Sequence, residues 1–271
     1  MPRAPFLTAL ALLLPAGLLA TVFGLEHNAR QPSPPSLLER PAAPKPGPAP
    51  DFASIEDVSE KKQAFVDYLL PLIRYHNDLL RWQRGQLQQI QNRREKGQKL
   101  SSEQQSLLEQ LQQTFESQEV NDLLAKVDTI PASLVLAQAA TESGWGSSRF
   151  AREGNNYFGQ WCYQIGCGIK PAQRATGKSH EVKRFNSATS SVRAYFNNLN
   201  TNPAYQQLRQ LRQQTRDSGQ RLTGVLMAAG LAKYSEKGDD YIDYLRSMIN
   251  SNGWGKLDAS AQQLADASEK D

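Results

Sequence analysis

The stretch AATESGWGSSRFAREGNNYFGQW, residues 139–161, decides the fold, because it joins an apolar helix to a polar aromatic loop. The apolar run ends at a single carboxylate, Glu142. Gly144 can adopt the left-handed conformation that commonly ends a helix, and the residues after it are rich in Gly, Asn and aromatic side chains. The stretch therefore predicts a central helix whose last turn carries Glu142 outward into a cavity or cleft.

The helix that leads to Glu142 is predicted from DTIPASLVLAQAATES, residues 128–143. Asp128 and Thr129 offer oxygens that could cap its start, and Pro131 suits a first helical turn. The helix is apolar nearly all round, which is typical of a buried element. A carboxyl at its end is poorly solvated and lies at the negative end of the helix dipole, and both effects raise its pKa. Such an acid can protonate a departing sugar oxygen, whereas the alternative is a surface Glu at a fraying helix end.

The rest of the chain is predicted to be mostly α (α+β), with a small irregular or β-hairpin lobe near 157–185. Ser54 could cap a helix that Pro71 should kink or split, and Ser101 with Gln104 has the spacing of a capping box. Residues 51–127 read as a helical N-terminal segment before a catalytic domain at 128–255. Further helices are expected over about 187–200, from 203, and over 219–233 and 239–250.

The N-terminus is predicted to be a targeting segment and a tether. Residues 4–25 form an uncharged apolar run, which indicates a signal peptide or a single membrane anchor. The Pro-rich residues 26–50 are typical of an extended linker, and the small, polar residues 256–271 of a frayed tail. We therefore expect the chain to be exported to the periplasm, where residues 4–25, if they are an anchor, would hold it at the inner membrane.

The cysteines and charges limit the partners. Cys162 and Cys167 are the only cysteines, and in an exported chain they could form a disulfide, with two free thiols as the alternative. We expect neither a metal nor another cofactor, because the three histidines are scattered along the chain. Residues 128–255 carry 15 Lys and Arg against 9 Asp and Glu, which suits an anionic polymer. Export disfavours nucleic acid as that polymer.

Aromatic and amide side chains after Glu142 could bind a sugar. The aromatic rings of this region could stack on sugars or simply pack in the core, and the two asparagines could bind sugar hydroxyls or an acetamide. These candidates are Trp145, Asn155, Asn156, Tyr157, Phe158, Trp161 and Tyr163.

The segment AQAATESGWGSSRFAREGNNYFGQW resembles the Bax-like branch of bacterial peptidoglycan glucosaminidases, glycoside hydrolase family 73. The family pattern is A-x-E-S-G-W-G, then S-x-x-A, then N-N-x-F-G, and every element of it is present. RFNSATSSVRAYFNNLNTNPAY and GLAKYSEKGDDYIDYL resemble two later blocks of the family, so the resemblance covers about 125–253.

This resemblance implies a lysozyme-like fold with a groove between a helical lobe and a small β-lobe. It implies cleavage of the β-1,4 bond between N-acetylglucosamine and N-acetylmuramic acid in peptidoglycan. Glu142 matches the general acid, Tyr234 a tyrosine that assists catalysis, and Tyr241 the second aromatic residue of the same block.

The second catalytic group has more than one candidate. Glu181 lies in the expected β-lobe, where some family members carry a base, and His180 stands beside it. Alternatively, the acetamide of the substrate attacks and Glu142 alone does the acid–base work. Two other functions compete with hydrolysis: a lytic transglycosylase, which leaves an anhydro sugar, and a cell-wall-binding protein without activity.

Overall fold

The computed structural model describes residues 39–172 and 180–259, and most of them are helical. Predictions that concern residues 1–38 and 260–271 lie outside these residues. Short 3-10 segments cover Pro203–Tyr205, Ala228–Leu231 and Trp254–Asp258. The α-helices in chain order are α1 (Val58–Glu95), α2 (Ser102–Thr114), α3 (Val120–Lys126), α4 (Ala132–Ser143), α5 (Arg149–Gly154), α6 (Ala188–Thr201), α7 (Gln206–Asp217), α8 (Gly224–Met227) and α9 (Asp239–Ser251).

A small antiparallel sheet interrupts the helices. Its strands are β1 (Trp161–Cys162), β2 (Gly168–Ile169) and β3 (Glu181–Lys183), in the order β1-β3-β2. Gly168 is required here, because a Cβ at this position would lie 2.0 Å from the carbonyl oxygen of Val182. Among the residues that the structure describes, the sheet has three strands instead of a hairpin's two, and together with the helices it confirms a mostly α fold with a small β-lobe.

The long helix α1 differs from the prediction in two details. It runs through Pro71 without a break, and its N-cap is Asp57, whose side chain accepts a hydrogen bond from the Glu60 N–H at 2.8 Å, instead of Ser54. Pro71 lies on the exposed side of the helix, while Leu69 and Leu72 beside it are buried. The packing of both flanks keeps the helix continuous although proline lacks the N–H of one backbone hydrogen bond.

The N-terminal helical segment shares the core of the domain that follows it. Helix α1 contacts α4 and α6, and the ring of Phe65 lies 5.6 Å from that of Trp145. A Cβ at Gly146 would lie 2.3 Å from the Phe52 ring, so this loop glycine is needed for close packing against residues before α1. The predicted boundary near 127 therefore does not separate two cores.

The start of α4 is capped from a distance. Its N-cap residue, Pro131, offers no side-chain hydrogen bond. The carboxylate of Asp258 instead accepts hydrogen bonds from the backbone N–H groups of Ser133 and Gly224, each at 2.8 Å, and so satisfies the starts of α4 and α8 together. Asp258 thus belongs to the folded domain, whereas a polar tail was expected from residue 256.

Asp128, one of the two residues expected to cap α4, has a different role. It is 3% exposed, and its carboxylate is bound by the guanidinium of Arg216 and lies 3.6 Å from that of Arg212. Burial alone would raise the pKa of Asp128, but the nearby arginines outweigh it and hold this pKa below its usual range. A buried carboxylate needs such charged partners, and they take precedence over the helix start.

The predicted capping box is confirmed. The Ser101 side chain accepts from the Gln104 N–H and the Gln104 side chain accepts from the Ser101 N–H, each at 3.2 Å. Within residues 39–172 and 180–259, none of the helices combines the length and the apolarity that a membrane crossing needs.

Candidate active site

Helix α4 ends where its sequence predicts. Gly144 is the C-cap with a φ of 57°, in the left-handed region, and Glu142 lies on the last turn. The Ser143 hydroxyl donates to the Ala139 carbonyl oxygen at 2.6 Å and accepts from the Gly146 N–H at 2.8 Å. These bonds stabilise the turn and place the Glu142 backbone at the end of a buried helix.

The carboxyl of Glu142 is half-buried, and its two oxygens have different surroundings. The Tyr241 hydroxyl donates to Oε1 at 2.9 Å. Oε2 lies near Gly159, where an added Cβ would come within 3.4 Å of it. Burial raises the pKa of Glu142, and the hydrogen bond from Tyr241 partly opposes this shift. The site therefore favours a carboxyl that keeps its proton to a higher pH than an exposed glutamate does.

Two tyrosines form a wall beside Glu142. The rings of Tyr234 and Tyr241 are parallel within 4°, with centroids 5.6 Å apart. The Tyr234 hydroxyl donates to the Phe158 carbonyl oxygen at 3.2 Å, so it ties the wall to the loop after α5. Burial is the main cause that raises the pKa of both hydroxyls, which therefore stay protonated and act as donors. The structure thus brings Glu142 and Tyr241 together, with Tyr234 stacked behind.

The asparagines of the N-N-x-F-G loop shape the backbone. Asn155 ends α5 in the left-handed conformation, with a φ of 50°, and its amide donates to the Phe185 carbonyl oxygen at 3.0 Å. Asn156 is 1% exposed; its Nδ2 donates to two carbonyl oxygens and its Oδ1 accepts from two backbone N–H groups. All the hydrogen-bonding capacity of Asn156 is thereby used within the protein. Contrary to expectation, it has none left for a sugar.

The predicted aromatic binding residues divide into buried and exposed. Phe158 is 2% exposed and stacks on Tyr195 with ring centroids 4.1 Å apart, so its side chain is core and the prediction of a sugar contact is corrected. Trp145 is partly buried, with its ring 5.6 Å from that of Trp254. Tyr163 is 72% exposed on the loop between β1 and β2, and Trp161 is 56% exposed. Of these rings, Tyr163 and Trp161 are the exposed ones, and one face of Trp161 is covered by the ring of His180.

Glu181 lies in β3, as expected, but it is 2% exposed. Its Oε2 accepts a hydrogen bond from the Gly168 N–H at 2.9 Å, which ties its carboxyl to the β2 backbone. Beside it, the ring of His180 stacks on Trp161 at 4.1 Å. In this conformation the Glu181 carboxyl is engaged within the small lobe.

The two cysteines are joined. A disulfide links Cys162 and Cys167 and closes the loop that carries Tyr163. Among residues 39–172 and 180–259, no three His, Cys, Asp or Glu side chains lie together as a metal site would require.

The sequence interpretation gave no role to Gln138 and Tyr195, which lie behind Glu142. The Tyr195 hydroxyl donates to Gln138 Oε1, and Gln138 Nε2 donates to the Tyr241 hydroxyl oxygen at 3.2 Å. Gln138 is 0% exposed. A polar amide in the middle of an otherwise apolar helix was the available signal, because a buried amide must find partners.

Comparisons with known proteins identify the family of the chain. A family model described as mannosyl-glycoprotein endo-beta-N-acetylglucosaminidase matches residues 117–253, half of the chain. Protein bax of Escherichia coli (strain K12) is 44% identical over 132 residues, which are 49% of this chain and 46% of that protein. The match thus spans about half the length of that relative. No solved structure matches. The chain belongs to the glucosaminidase family, and it is Bax-like within it.

Proposed function

We propose that this protein is a peptidoglycan hydrolase that cleaves the β-1,4 bond between N-acetylglucosamine and N-acetylmuramic acid. The observation that carries the proposal is the Glu142 carboxyl, half-buried at the end of α4 with Tyr241 bound to one of its oxygens. The family match supports a glycosidase, and the basic surplus of residues 128–255 suits an anionic glycan.

Glu142 acts as the general acid in this proposal. Burial raises the pKa of its carboxyl, so the carboxyl keeps a proton for the oxygen of the leaving sugar to a higher pH than an exposed glutamate would. Oε1 already accepts the Tyr241 proton, which leaves Oε2 as the oxygen that gives its proton to the substrate. Tyr241 also fixes the plane of the carboxyl and holds it ready for transfer.

For the second catalytic role, the placement of Glu181 favours the acetamide of the substrate. A general base must reach a water on the opposite face of the sugar. Glu181 is 2% exposed and accepts from the Gly168 N–H, so the small lobe would have to open first. A neighbouring acetamide oxygen needs no such movement. Substrate assistance by this oxygen is therefore part of the proposal, with Glu181 in a supporting role in the sheet.

Glu181→Gln should lower the cleavage rate by less than about tenfold, because the amide oxygen can still accept from Gly168 and no catalytic proton is lost. The rate of fragment release from purified peptidoglycan measures this. A fall of more than about a hundredfold, with the circular dichroism and the disulfide unchanged, would instead make Glu181 the base.

The cleavage rate should fall as the pH rises through the pKa of Glu142, since only the protonated carboxyl can donate. Because burial raises this pKa, the fall should begin above about pH 4.3, the value of an exposed glutamate. A profile of kcat against pH between about 4 and 8 measures it. A rate that increases over that range would contradict the assignment.

A digest of purified peptidoglycan tests the proposed reaction. Mass spectrometry should find fragments with new reducing N-acetylglucosamine ends. Anhydromuramic ends would instead show a lytic transglycosylase. Binding without the release of soluble sugar would indicate a cell-wall-binding protein that has lost the chemistry.

Export to the periplasm is also part of the proposal. It rests on the apolar run of residues 4–25, read as a signal peptide or anchor, and on the disulfide between Cys162 and Cys167, a bond that persists in oxidising compartments. A peptidoglycan substrate requires the same location.

The periplasmic form should have a non-reduced mass about 2 Da below its reduced mass, because bond formation removes two hydrogens. Replacement of both Cys162 and Cys167 by Ser removes the difference and provides the control. The same chain without residues 1–25, kept in the cytosol, should carry free thiols. Two titratable thiols in the periplasmic form would contradict this prediction.

A further inference from the structure

The amide of Gln138 points its oxygen towards Tyr195 and its nitrogen towards Tyr241. It lies fully buried on α4, one turn before Glu142, where each polar atom needs a partner. Tyr195 is likewise buried, and its hydroxyl donates to Gln138 Oε1. The ionised carboxylate of Glu142 can only accept, so the Tyr241 proton goes to it and the Tyr241 oxygen accepts from the amide nitrogen, a donor only, which leaves the amide oxygen for Tyr195.

This orientation sets the direction of the hydrogen bond to Glu142. Gln138 Nε2 donates to the Tyr241 oxygen at 3.2 Å, so the Tyr241 proton cannot point back towards the amide. The proton instead goes to Glu142 Oε1 at 2.9 Å. All the bonds run one way, from Tyr195 through Gln138 and Tyr241 to Glu142.

The direction decides which oxygen of the carboxyl carries the acidic proton. Because Oε1 accepts from Tyr241, the proton of Glu142 lies on Oε2, on the Gly159 side. If Tyr241 could turn its proton towards Gln138, Oε1 would become an alternative site for the acidic proton. A mixture of the two arrangements would weaken a general acid that must point at one glycosidic oxygen.

We propose that Gln138 is a positioning residue, which directs the Tyr241 proton to Glu142 Oε1 and so keeps the acidic proton on Oε2. Gln138 acts through Tyr241 and touches no substrate. The inference rests on the proposed function of Glu142 as the general acid.

The test measures the pKa of Glu142 in the full chain, without substrate, from the carboxyl 13C NMR signal that disappears in Glu142→Gln. Tyr241→Phe removes the donor to the carboxylate and should raise this pKa by about one unit. Gln138→Met leaves the Tyr241 hydroxyl free to turn and should raise it in the same direction by about half a unit. The double variant should shift no further than Tyr241→Phe alone, because Gln138 acts through Tyr241.

The matched control is Asn77→Leu, which removes a buried amide that bonds to the backbone of Ile130 instead. It should lower stability and leave the pKa of Glu142 unchanged. If Gln138→Met lowers stability but leaves that pKa unchanged, or if its shift adds fully to that of Tyr241→Phe, the proposal fails.

Should Gln138→Met not fold, Tyr195→Phe provides the same test. It removes the donor that orients the amide, so the pKa of Glu142 should again rise, and an unchanged pKa would overturn the proposal. These measurements use no substrate, so their failure is distinct from failure of the proposed function. The latter would appear as glycan cleavage by Glu142→Gln.

Discussion

Glu142→Gln should slow the cleavage of purified peptidoglycan by roughly a thousandfold or more, because an amide has no proton to give to the leaving sugar. The substitution keeps the shape of the side chain and an oxygen that can accept from Tyr241, so fold and glycan binding should persist. Mass spectrometry of the released fragments, with binding measured by pelleting on insoluble peptidoglycan, separates the loss of chemistry from the loss of affinity.

The control for this variant is Glu153→Gln, which makes the same chemical change on the exposed face of α5. It should cleave at the wild-type rate. If Glu142→Gln retains wild-type turnover while Glu153→Gln does the same, Glu142 is not the general acid and the proposed mechanism fails.

The same variant should be slightly more stable than the wild type at neutral pH. Burial raises the folded pKa of Glu142, so its contribution to the free energy of unfolding is fully present below about pH 4.3 and is lost as pH rises through the raised value. An uncharged amide avoids that loss. We expect the Tm to rise by about 2 °C at pH 7 and to be unchanged near pH 4.

The largest effect on stability is expected at Arg212. Its side chain is 1% exposed, and its guanidinium donates to the carbonyl oxygens of Ala125, Asp128 and Thr129 and to the Asn200 side chain. Burial lowers the pKa of Arg212 to about 10, so the group is still charged at neutral pH. Arg212→Met would leave these buried acceptors unsatisfied. It would also remove one of the positive charges that stabilise the buried carboxylate of Asp128. The free energy of unfolding should fall by about 3–5 kcal/mol.

Denaturant unfolding of Arg212→Met measures this loss. The control is Arg81→Met on α1, where the arginine forms an exposed i,i+3 pair with Asp78 and should contribute less than about 1 kcal/mol. An equally small loss of unfolding free energy in the two variants would contradict this prediction. It would show that the buried cluster of Asp128, Arg212 and Arg216 does not hold α3, α4 and α7 together.

The pH dependence of the cluster has a defined sign. The arginines hold the pKa of Asp128 below its usual range despite burial, so its contribution is present above about pH 3.9 and is lost as pH falls through the depressed folded value. Protonation of Asp128 should therefore destabilise the protein in acid and promote its unfolding.

Much of the fold could be predicted because local interactions decide it. The capping box of Ser101 and Gln104 needs only neighbours three residues apart, and Gly144 ends α4 because glycine tolerates a positive φ. The position of Glu142 on the last helical turn follows from these signals. The continuity of α1 through Pro71 was missed, because packing on both flanks outweighed a local preference.

The candidate site could be predicted only in part. Glu142, Tyr234 and Tyr241 came from motifs, and the structure brings them together. Asn156 was expected to bind sugar. Its amide can donate two hydrogen bonds and accept two, and in the structure all four are made to the backbone of a tight loop. A list of residues cannot distinguish the two uses, because both require the same donors and acceptors.

By itself, the sequence determined the mostly helical character of the fold, the turn after Glu142 and the family to which the chain belongs. Only the tertiary structure decided which partners satisfy the buried polar groups. Asp258 caps α4 from 125 residues away, and Tyr195 orients Gln138. The charged partners of Asp128 are Arg84, Arg212 and Arg216. The physical reason is that a helix start or a turn is stabilised by near neighbours. A buried carboxylate or amide, in contrast, must pair with whichever donor the packing of distant segments brings to it.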